Sequence, residues 1–277
     1  MKQYLDLVKA VMEEGIDLNP DNERTNTGTR SLYGQTMKFN LLQGFPLVTT
    51  KTTFWRGVVE ELLWFLRGET NIRSLQEKGV HIWDEWADAN GDLGPVYGKM
   101  WRDFAGVDQI QNLVDTLLTN PHSRRNLVSG WNPAILPDAS LSHAENVAQG
   151  KQALPPCHTV WQVMVDGNND LHLTLYQRSA DLFLGVPFNI ASYSLLAKLL
   201  AHRTGLRAAS FTWFGGDCHI YHNHFAQTKE MLSREPLPLP EVELGHPPSV
   251  PLDQVQFDNI LLLHYNHHPA IKAEVAV

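Results

Sequence analysis

The sequence predicts one domain that contains both helices and strands. Two strand-like runs, 159–165 and 171–178, flank the turn-forming tetrapeptide Asp166-Gly167-Asn168-Asn169, a pattern typical of a β-hairpin. Residues 188–201 are apolar at helical spacing over a length that exceeds most strands. The chain has 277 residues, of which 43% are hydrophobic, and it contains no repeat, low-complexity tract or long linker. A single large core can therefore account for the whole chain.

Composition and charge narrow the function and the compartment. The formal net charge of -8 opposes broad binding to a nucleic-acid backbone, which requires a basic surface. Any anion site must then be a local cluster of arginines. Two cysteines cannot form a disulfide scaffold for a chain of this size. The first residues lack a secretory apolar core, and no run approaches the roughly 18 apolar residues of a membrane span, so we expect a cytoplasmic protein that binds no membrane.

Three segments ahead of the hairpin have helical periodicity: 4–14, 58–66 and 112–118. In the second of these, helical spacing places Glu61 on or next to the apolar stripe. A carboxylate there is partly desolvated, which suits it to proton transfer. A glutamate at the edge of the stripe with its carboxylate in water is an equally good interpretation of this segment.

The remaining segments are irregular or extended. Residues 83–101 are rich in glycine, aspartate and aromatic residues and predict an irregular surface segment, a common place for ligand contacts. Residues 133–152 lack periodicity and predict a loop insertion. After the hairpin, 209–214 and 259–265 predict further strands.

The hairpin places a cysteine opposite an arginine. An even-length turn centred between Gly167 and Asn168 pairs Cys157 with Arg178, and opposed residues of an antiparallel ladder share one face with Cβ atoms roughly 4.5–5.5 Å apart. A neighbouring cation favours the thiolate, which is the nucleophilic form of cysteine. A β-bulge would shift this register by one residue and turn one partner away.

The same register assigns the two faces of the hairpin. It predicts that Val160, Met164, Leu171 and Leu175 form a packing surface. The opposite face would line a pocket with Cys157, Thr159, Trp161, His172, Thr174, Tyr176 and Arg178.

Two other interpretations of the cysteine compete with a nucleophile. An isolated cysteine is often a buried, inert one, but burial of an arginine opposite the sulfur without a purpose would be costly. The neighbouring His158 suggests a cysteine hydrolase. Adjacent strand residues point to opposite faces, however, so His158 is poorly placed as a base for Cys157.

Arginines supply three candidate phosphate contacts: Arg24, the pair Arg124 and Arg125, and Arg178 with Ser179. The planar fork of arginine binds phosphate oxygens in pairs, and a serine hydroxyl adds a donor. For Arg124 and Arg125 alone, a solvated surface pair is the better interpretation. The sequence leaves open whether the three groups converge.

Two further segments offer polar contacts. Residues 217–224 contain several histidines, but strand alternation divides them between two faces and no second ligand pair has structural-zinc spacing, so we expect no metal. His219 and Tyr221 share a face if extended and are better placed to bind a polar ligand. Asn189, near the start of an apolar helix, can initiate that helix, and its amide also matches the carbonyl and N–H edge of uracil.

Many ordered sequence blocks, rather than one motif, resemble the thymidylate synthase family over nearly the whole chain. They include Pro156-Cys157-His158 and Gln177-Arg178-Ser179-Ala180-Asp181. The other blocks are 24–29, 45–51, 61–66, 82–86, 94–98, 123–125, 187–193, 215–221 and 275–277.

The resemblance implies an α+β fold with a large mixed twisted sheet, a long central helix and surrounding helices. It implies a homodimer in which the sheets of two subunits stack. The implied reaction is reductive methylation of deoxyuridine monophosphate (dUMP) to thymidine monophosphate. The one-carbon and hydride donor would be the cosubstrate 5,10-methylenetetrahydrofolate, and dihydrofolate would be the second product.

The resemblance also implies residue roles. Cys157 would add to C6 of the pyrimidine, Glu61 would organise proton transfers, and Tyr97 would assist removal of the C5 proton. The implied nucleotide contacts are Arg24, Arg178, Ser179, Ala180, Asp181, Asn189, His219, Ile220 and Tyr221, with Arg124 and Arg125 reaching the site of the other subunit. The implied folate contacts are Phe54, Ile82, Trp83, Asp181, Gly185 and Ala276. Arg178, Asn189 and Asp181 also belong to the implied catalytic set.

Some positions depart from the family pattern. Thr52 and Phe54 stand where relatives often carry a basic residue and a histidine, which bears on binding of the folate's glutamate tail. Asn26 replaces a frequent glycine, and 133–152 is longer than in compact members.

Two alternative functions stay open at this stage. A dUMP hydroxymethylase of the same family would trap its intermediate with water rather than hydride. Asn189, Trp83 and the ending 275–277 favour methylation over that reaction. A non-catalytic nucleotide- or RNA-binding protein on the same scaffold is opposed by the acidic charge and by the complete set of reactive residues.

Overall fold

A large mixed β-sheet organises the protein, which we describe from a computed structural model over residues 1–18 and 27–275. The strands are β1 (Ile16–Leu18), β2 (Thr29–Asn40), β3 (Leu127–Ser129), β4 (His158–Val165), β5 (Asp170–Asp181), β6 (Arg207–Tyr221), β7 (Glu241–Leu244) and β8 (Ile260–Leu263). Six of them form one sheet in the order β1-β2-β6-β5-β4-β3, and β7 pairs with β8. β5 and β6 run parallel, whereas the other neighbours run antiparallel.

Helices cover one face of this sheet. They are α1 (Lys2–Glu14), α2 (Trp55–Arg67), α3 (Arg73–Gln76), α4 (Tyr97–Arg102), α5 (Gln109–Thr119), α6 (His143–Ala148), α7 (Gly185–Thr204) and α8 (Phe225–Leu232). The predicted helices at 4–14, 58–66 and 112–118 are confirmed as parts of α1, α2 and α5. This combination of one mixed sheet and separate helices is the expected α+β fold.

The long central helix is α7, which confirms the helix predicted at 188–201. Its sequence is apolar around most of its circumference, and such a helix is stable only when it is buried on nearly all sides. It packs against β5, β6 and α2. It ends where Gly205 adopts a left-handed conformation with φ 70°, which glycine tolerates without strain.

The register predicted for the hairpin is wrong along most of its length. The turn has three residues, 167–169, with Asn169 at φ 60°, so that Trp161 pairs with Leu175 and Val163 with Leu173. Trp161 and Leu175 are therefore buried in the core. The actual exposed face carries Val160, Met164, His172, Thr174 and Tyr176, so the predicted assignment of Val160, Met164 and Leu171 to one packing surface with Leu175 does not hold.

A β-bulge between His158 and Val160 corrects the register at the end of the hairpin. Beyond it His158 pairs with Gln177, and the N–H of Arg178 donates to the carbonyl oxygen of Cys157 at 2.9 Å. The odd turn and the bulge each shift the pairing by one residue and cancel. Cys157 and Arg178 consequently do face each other, as predicted.

Other differences from the predicted elements concern short or polar segments. The segment 83–101, predicted to be irregular, includes the start of α4 at Tyr97. The predicted loop 133–152 contains α6, whose start is stabilised by a capping box between Ser142 and Glu145. The strands predicted at 209–214 and 259–265 correspond to the longer β6 and the shorter β8.

In the part of the chain that the structure describes, no helix has both the length and the apolar character needed to span a bilayer.

Gly98 lies where the backbones of α2 and α4 meet. A Cβ at this position would lie 2.6 Å from the carbonyl oxygen of Phe65. Because backbone atoms cannot move aside as a flexible side chain can, we expect Gly98→Ala to lower the free energy of unfolding by about 1–3 kcal/mol in urea denaturation. Gly167→Ala is the control, since nothing lies within 4 Å of its added Cβ, and we expect a change within about 0.5 kcal/mol. Equal losses in both variants would contradict the close approach.

Candidate active site

The site is built around Cys157, which is half-buried and is not part of a disulfide. Nη2 of Arg178 lies 4.0 Å from its Sγ atom. The predicted neighbourhood of sulfur and guanidinium is thus confirmed. At this separation, opposite unit charges attract by about 4 kcal/mol at an effective dielectric constant near 20, before the cost of desolvation. The arrangement favours a negatively charged sulfur over a neutral one.

The guanidinium of Arg178 also holds the chain ahead of the cysteine. Its Nε donates to the carbonyl oxygen of Pro156 and its Nη2 to that of Pro155, each at 3.0 Å. Its other face lies over the ring of Trp131, with a distance of 5.6 Å to the centroid. Both prolines lack an N–H group, so each contributes only its carbonyl oxygen, an acceptor, to backbone hydrogen bonding. One arginine therefore fixes the path of the loop and the position of the sulfur together.

Tyr97 supports the cysteine from the other side. Its hydroxyl oxygen accepts the backbone N–H of Cys157 at 2.8 Å. Burial, together with the negative charges of Cys157 and Glu61, raises the pKa of Tyr97 well above its usual value near 10. The ring packs against Phe65 at 5.1 Å and Trp83 at 5.9 Å between centroids. The hydroxyl consequently keeps its proton and can donate it in a hydrogen bond to a ligand.

Glu61 on α2 is buried, which decides between its two sequence interpretations. Only 9% of its surface is exposed, and Nε1 of Trp83 donates to its Oε1 at 2.9 Å. Desolvation raises the pKa of Glu61 to about 7, and the hydrogen bond from Trp83 opposes that rise only in part. A carboxyl group with this pKa can both accept and release a proton near neutral pH.

The amide of Asn189 is held in one orientation. Nε2 of Gln177 donates to Oδ1 of Asn189 at 3.0 Å, and Nε1 of Trp213 donates to Oε1 of Gln177 at 2.9 Å. Since the indole nitrogen can only donate, it fixes which end of the Gln177 amide is oxygen. That in turn fixes the amide of Asn189, which presents Nδ2 as a donor. The alternative role as a helix initiator does not apply, because α7 begins at Gly185.

The ends of β5 and β6 bring the other polar candidates together. In this parallel pair Asp181 lies opposite His219, and the rings of His219 and Tyr221 are 5.0 Å apart. Oδ1 of Asp181 accepts the N–H groups of Phe183 at 2.9 Å and Leu184 at 3.2 Å. The remaining candidates on these strands are the half-exposed Ser179 and the buried Ala180 and Ile220.

The candidate folate contacts lie around α2 and the start of α7. Phe54 is 42% exposed, and its ring packs against the backbone of Gly57, where an added Cβ would lie 2.6 Å from Cδ1 of Phe54. The ring of Phe188 on α7 lies 3.4 Å from the same point. Gly185 lies beside the side chain of Asp181, where a Cβ would contact the Asp181 Cβ at 3.7 Å. Ile82 is half-buried and directly precedes Trp83.

Two predicted contacts are not joined to the site within one chain, and two others lie outside the described residues. Arg124 and Arg125 are exposed in the turn before β3, at the edge of the sheet. Arg24 and Ala276 lie outside the described residues, as does Asn26.

The sequence interpretation missed two polar groups beside the site. Lys51 is buried, donates from Nζ to the carbonyl oxygen of Phe183 at 2.6 Å and lies over its ring. Burial lowers the pKa of Lys51 to about 8, against the opposing charge of Asp181. The signal for it was a lysine directly after the apolar and threonine run 47–50. Gln177, a polar residue at a buried position of β5, carried a similar signal in its strand alternation.

His158 does not act on the sulfur. Its side chain is buried between the rings of Tyr97 and Tyr193, each 5.3 Å away. Desolvation lowers the pKa of His158 to about 4, although a hydrogen bond with Asn189 raises it. Its imidazole is therefore neutral at physiological pH and packs in the core. Over residues 1–18 and 27–275, no three histidine, cysteine, aspartate or glutamate side chains are arranged to hold a metal ion.

Burial of Glu61 predicts a pH-dependent stability. The folded protein keeps the Glu61 proton up to about pH 7, whereas the unfolded chain releases it near 4.5, so the Glu61 contribution to the free energy of unfolding falls as pH rises between these values. Glu61→Gln removes this loss. We expect the stability of the variant relative to the wild type to increase by about 3 kcal/mol from pH 4.5 to pH 8 in urea denaturation. The exposed Glu77→Gln should show no such trend, and a flat difference for Glu61→Gln would contradict the raised pKa.

Comparison with known proteins agrees with this geometry. A sequence model described as thymidylate synthase matches residues 2–277. A thymidylate synthase from Francisella tularensis subsp. holarctica is 51% identical over 279 residues, which cover 100% of both chains. One from Francisella philomiragia subsp. philomiragia is 50% identical over the same length and with the same full coverage. With this match from end to end, and with the family's cysteine and arginine side by side, the chain belongs to the thymidylate synthase family.

Proposed function

We propose that this protein methylates dUMP to thymidine monophosphate, with 5,10-methylenetetrahydrofolate as the one-carbon and hydride donor. The observation that carries the proposal is the contact between Sγ of Cys157 and the guanidinium of Arg178. Neither alternative, hydroxymethylation or non-catalytic nucleotide binding, is favoured by the family relationship. Cys157 and Cys218 form no disulfide, which suits a reducing compartment, and we place the activity in the cytoplasm.

Cys157 would act as the nucleophile toward C6 of the uracil ring. The charge of Arg178 stabilises the thiolate that attacks, and the carbonyl oxygens of Pro155 and Pro156 keep that charge in place. When the sulfur bonds to C6, electron density moves to C5 and to the O4 carbonyl, and C5 becomes the carbon that accepts the one-carbon unit. Arg178 and Ser179 would receive the phosphate of dUMP.

Asn189 would select uracil over cytosine. Its orientation is set by the chain of hydrogen bonds through Gln177 and Trp213. An amide placed in this way can meet the carbonyl and N–H edge of uracil, and a misplaced donor or acceptor against it would remain unpaired at a cost of about 1–3 kcal/mol. His219 and Tyr221 would contact the sugar hydroxyl of the nucleotide.

Glu61 and Tyr97 divide the proton transfers. Glu61 has a pKa near the working pH and would exchange protons with O4 of the pyrimidine through water. Tyr97 keeps its proton and is fixed by the N–H of Cys157 within reach of the nucleophile, and it would assist removal of the C5 proton by donating a hydrogen bond to a water molecule that accepts this proton. Both groups are held on helices that pack through Phe65, which keeps their separation constant.

The residues around Glu61 fit the folate. Phe54, Ile82 and Trp83 offer apolar surface to a flat ring system, and Oδ2 of Asp181 accepts no hydrogen bond from the described residues, so it is available to the ligand's N–H groups. When bound, the cosubstrate supplies the one-carbon unit and the hydride. The protein's part is to orient it against C5 and to exclude water.

We also propose that two copies of the chain share their active sites. Four large apolar residues lie on one face of the sheet across four strands and are each 38–48% exposed: Leu127, Met164, Tyr176 and Phe214. Exposed Tyr, Phe and Met side chains are enriched at protein interfaces, and on this face they alternate with polar residues such as His172 and Thr174. A cavity of about 390 Å³ beside Arg178, which Tyr176 also lines, opens there. A second sheet stacked on this face could bring Arg124 and Arg125 to the phosphate of its partner.

Assay of the purified protein with dUMP and methylenetetrahydrofolate tests the reaction. We expect near-ultraviolet absorbance to rise as dihydrofolate forms, together with a methylated nucleotide by mass spectrometry. Cys157→Ala should lower kcat at least about a thousandfold, because it removes the nucleophile. A hydroxymethylated product with unoxidised tetrahydrofolate would show that the protein catalyses hydroxymethylation instead. Normal turnover by Cys157→Ala would exclude the covalent mechanism.

Mixing two inactive variants tests the shared site. Arg125→Ala and Cys157→Ala, each nearly inactive, should regain activity when their subunits are exchanged, because half of the sites in a mixed dimer then contain both residues. Random exchange predicts recovery of about one quarter of wild-type activity. Sedimentation must show a dimer for each variant. A mixture no more active than the mean of its components, in a sample that has exchanged, would contradict shared sites.

A further inference from the structure

His224 has no role in the chemistry proposed above, yet it is among the most buried polar residues of the protein. It ends the short 3-10 turn His222–His224 that follows β6, and 0% of its surface is exposed. Its Nε2 lies 2.7 Å from the carbonyl oxygen of Glu274, fifty residues further along the chain. Because a carbonyl oxygen only accepts, the imidazole donates, and the proton is on Nε2. Nδ1 is buried and has no hydrogen-bond partner.

The carbonyl that His224 binds belongs to an extended segment, 264–275, which we call the strap. Side chains hold its first half at several points. The hydroxyl of Tyr265 donates to the carbonyl oxygen of Val48 at 2.7 Å, and Nη1 of Arg234 donates to that of Pro269 at 2.6 Å. These contacts fix the path of the strap up to residue 269.

Beyond Pro269 the strap is held much more weakly. Among the described residues, the bond from His224 is the only hydrogen bond made by 270–275, and the other contacts are the partly buried side chains of Ile271 and Ala273. A neutral hydrogen bond contributes about 0.5–1.5 kcal/mol, and a change of this size is enough to shift a weakly held segment from mostly attached to mostly detached. The position of 270–275 therefore depends on His224.

The surroundings of His224 connect the strap to the candidate active site. Its ring packs against Phe183 at 5.5 Å and Tyr221 at 5.7 Å between centroids. The N–H of Phe183 donates to Asp181, and its carbonyl oxygen accepts from Lys51. His224 thus lies between Tyr221, a candidate nucleotide contact, and the turn 181–184, which carries the candidate folate contact Asp181. Its Nε2 holds the strap.

We propose that His224 is a positioning residue that latches the end of the strap onto the turn 181–184 and thereby prepares the folate side of the site. The inference rests on the proposed function only for its effect on turnover. The latch itself is a property of the free protein. Movement of Phe183 or Tyr221 on ligand binding shifts the imidazole and with it the strap, so the two are coupled through direct contacts.

Two substitutions separate the hydrogen bond from the packing. His224→Phe keeps an aromatic ring between Phe183 and Tyr221 but cannot donate, whereas His224→Gln carries an amide nitrogen near the position of Nε2. In the free protein, trypsin should cleave after the exposed Lys272 about three- to tenfold faster in the Phe variant than in the wild type. The Gln variant should return to within about twofold of the wild-type rate, and the melting temperature shows whether either variant is globally unstable.

Turnover supplies the second readout. The Phe variant should raise KM for methylenetetrahydrofolate about three- to tenfold, with kcat and the dissociation constant of dUMP changed less than about twofold. If the Phe variant does not fold, an ester bond in place of the amide between Glu274 and Val275 weakens the same acceptor and leaves His224 intact, and it should accelerate the cleavage likewise.

The outcomes are distinct. Cleavage after Lys272 at the wild-type rate in a folded His224→Phe variant, or in the ester variant, overturns the latch. Accelerated cleavage with an equal loss of kcat and of dUMP affinity overturns the positioning role, because it indicates general damage to the site. Accelerated cleavage in a protein that does not turn over dUMP and folate supports the latch and refutes the proposed function.

Discussion

The guanidinium of Arg178 ties the sulfur to the sheet, and the rest of the site is arranged around that contact. Its two donors to Pro155 and Pro156 compensate for a loop that has few donors of its own, and the same charge faces Sγ of Cys157. If the arginine acted only on the sulfur, its long side chain would lose considerable conformational entropy for one weak contact. The hydrogen bonds to the two carbonyl oxygens compensate for most of this entropy loss. The charge next to the sulfur is therefore in place before any substrate binds.

The ionisable side chains buried beside this contact are polar, but their neutral forms are favoured. Burial raises the pKa of Glu61 to about 7 and lowers that of His158 to about 4, so both shifts favour the neutral form. Tyr97 is affected in the same direction. A permanent positive charge therefore lies next to Cys157, and the groups behind it are neutral; among them Glu61 has a pKa near 7 and can exchange a proton at low cost. An ionised His158 between Tyr97 and Tyr193 would have opposed the rise in the pKa of Glu61.

The sequence was sufficient to predict an element where a residue type or a hydrophobic period has one structural meaning. It was insufficient where the pairing of strands decided which side chains are buried. The apolar helix around Leu195 and the cysteine opposite an arginine were predictable. The faces of the hairpin were not, because a three-residue turn ending in Asn169 and a bulge near Thr159 leave no distinct mark in the alternation of β4. The long strand β2 was missed as well, since its polar residues alternate with apolar ones only at its far end. Gln177 gained its role from Trp213, which is distant in sequence, and no local pattern reports such a contact.

The departures from the family pattern at Thr52 and Phe54 lie on the side of the site that we propose for the folate. Thr52 stands where relatives often carry a basic residue, and here its hydroxyl contacts Nδ1 of His267 at 3.0 Å and the carbonyl oxygen of His268 at 3.2 Å. A neutral, short side chain therefore binds the strap where a long cation would extend into solvent. Phe54 adds exposed apolar surface to the same region. At Thr52 the strap is thus held by hydrogen bonds between neutral groups, which are less sensitive to salt than ion pairs in water.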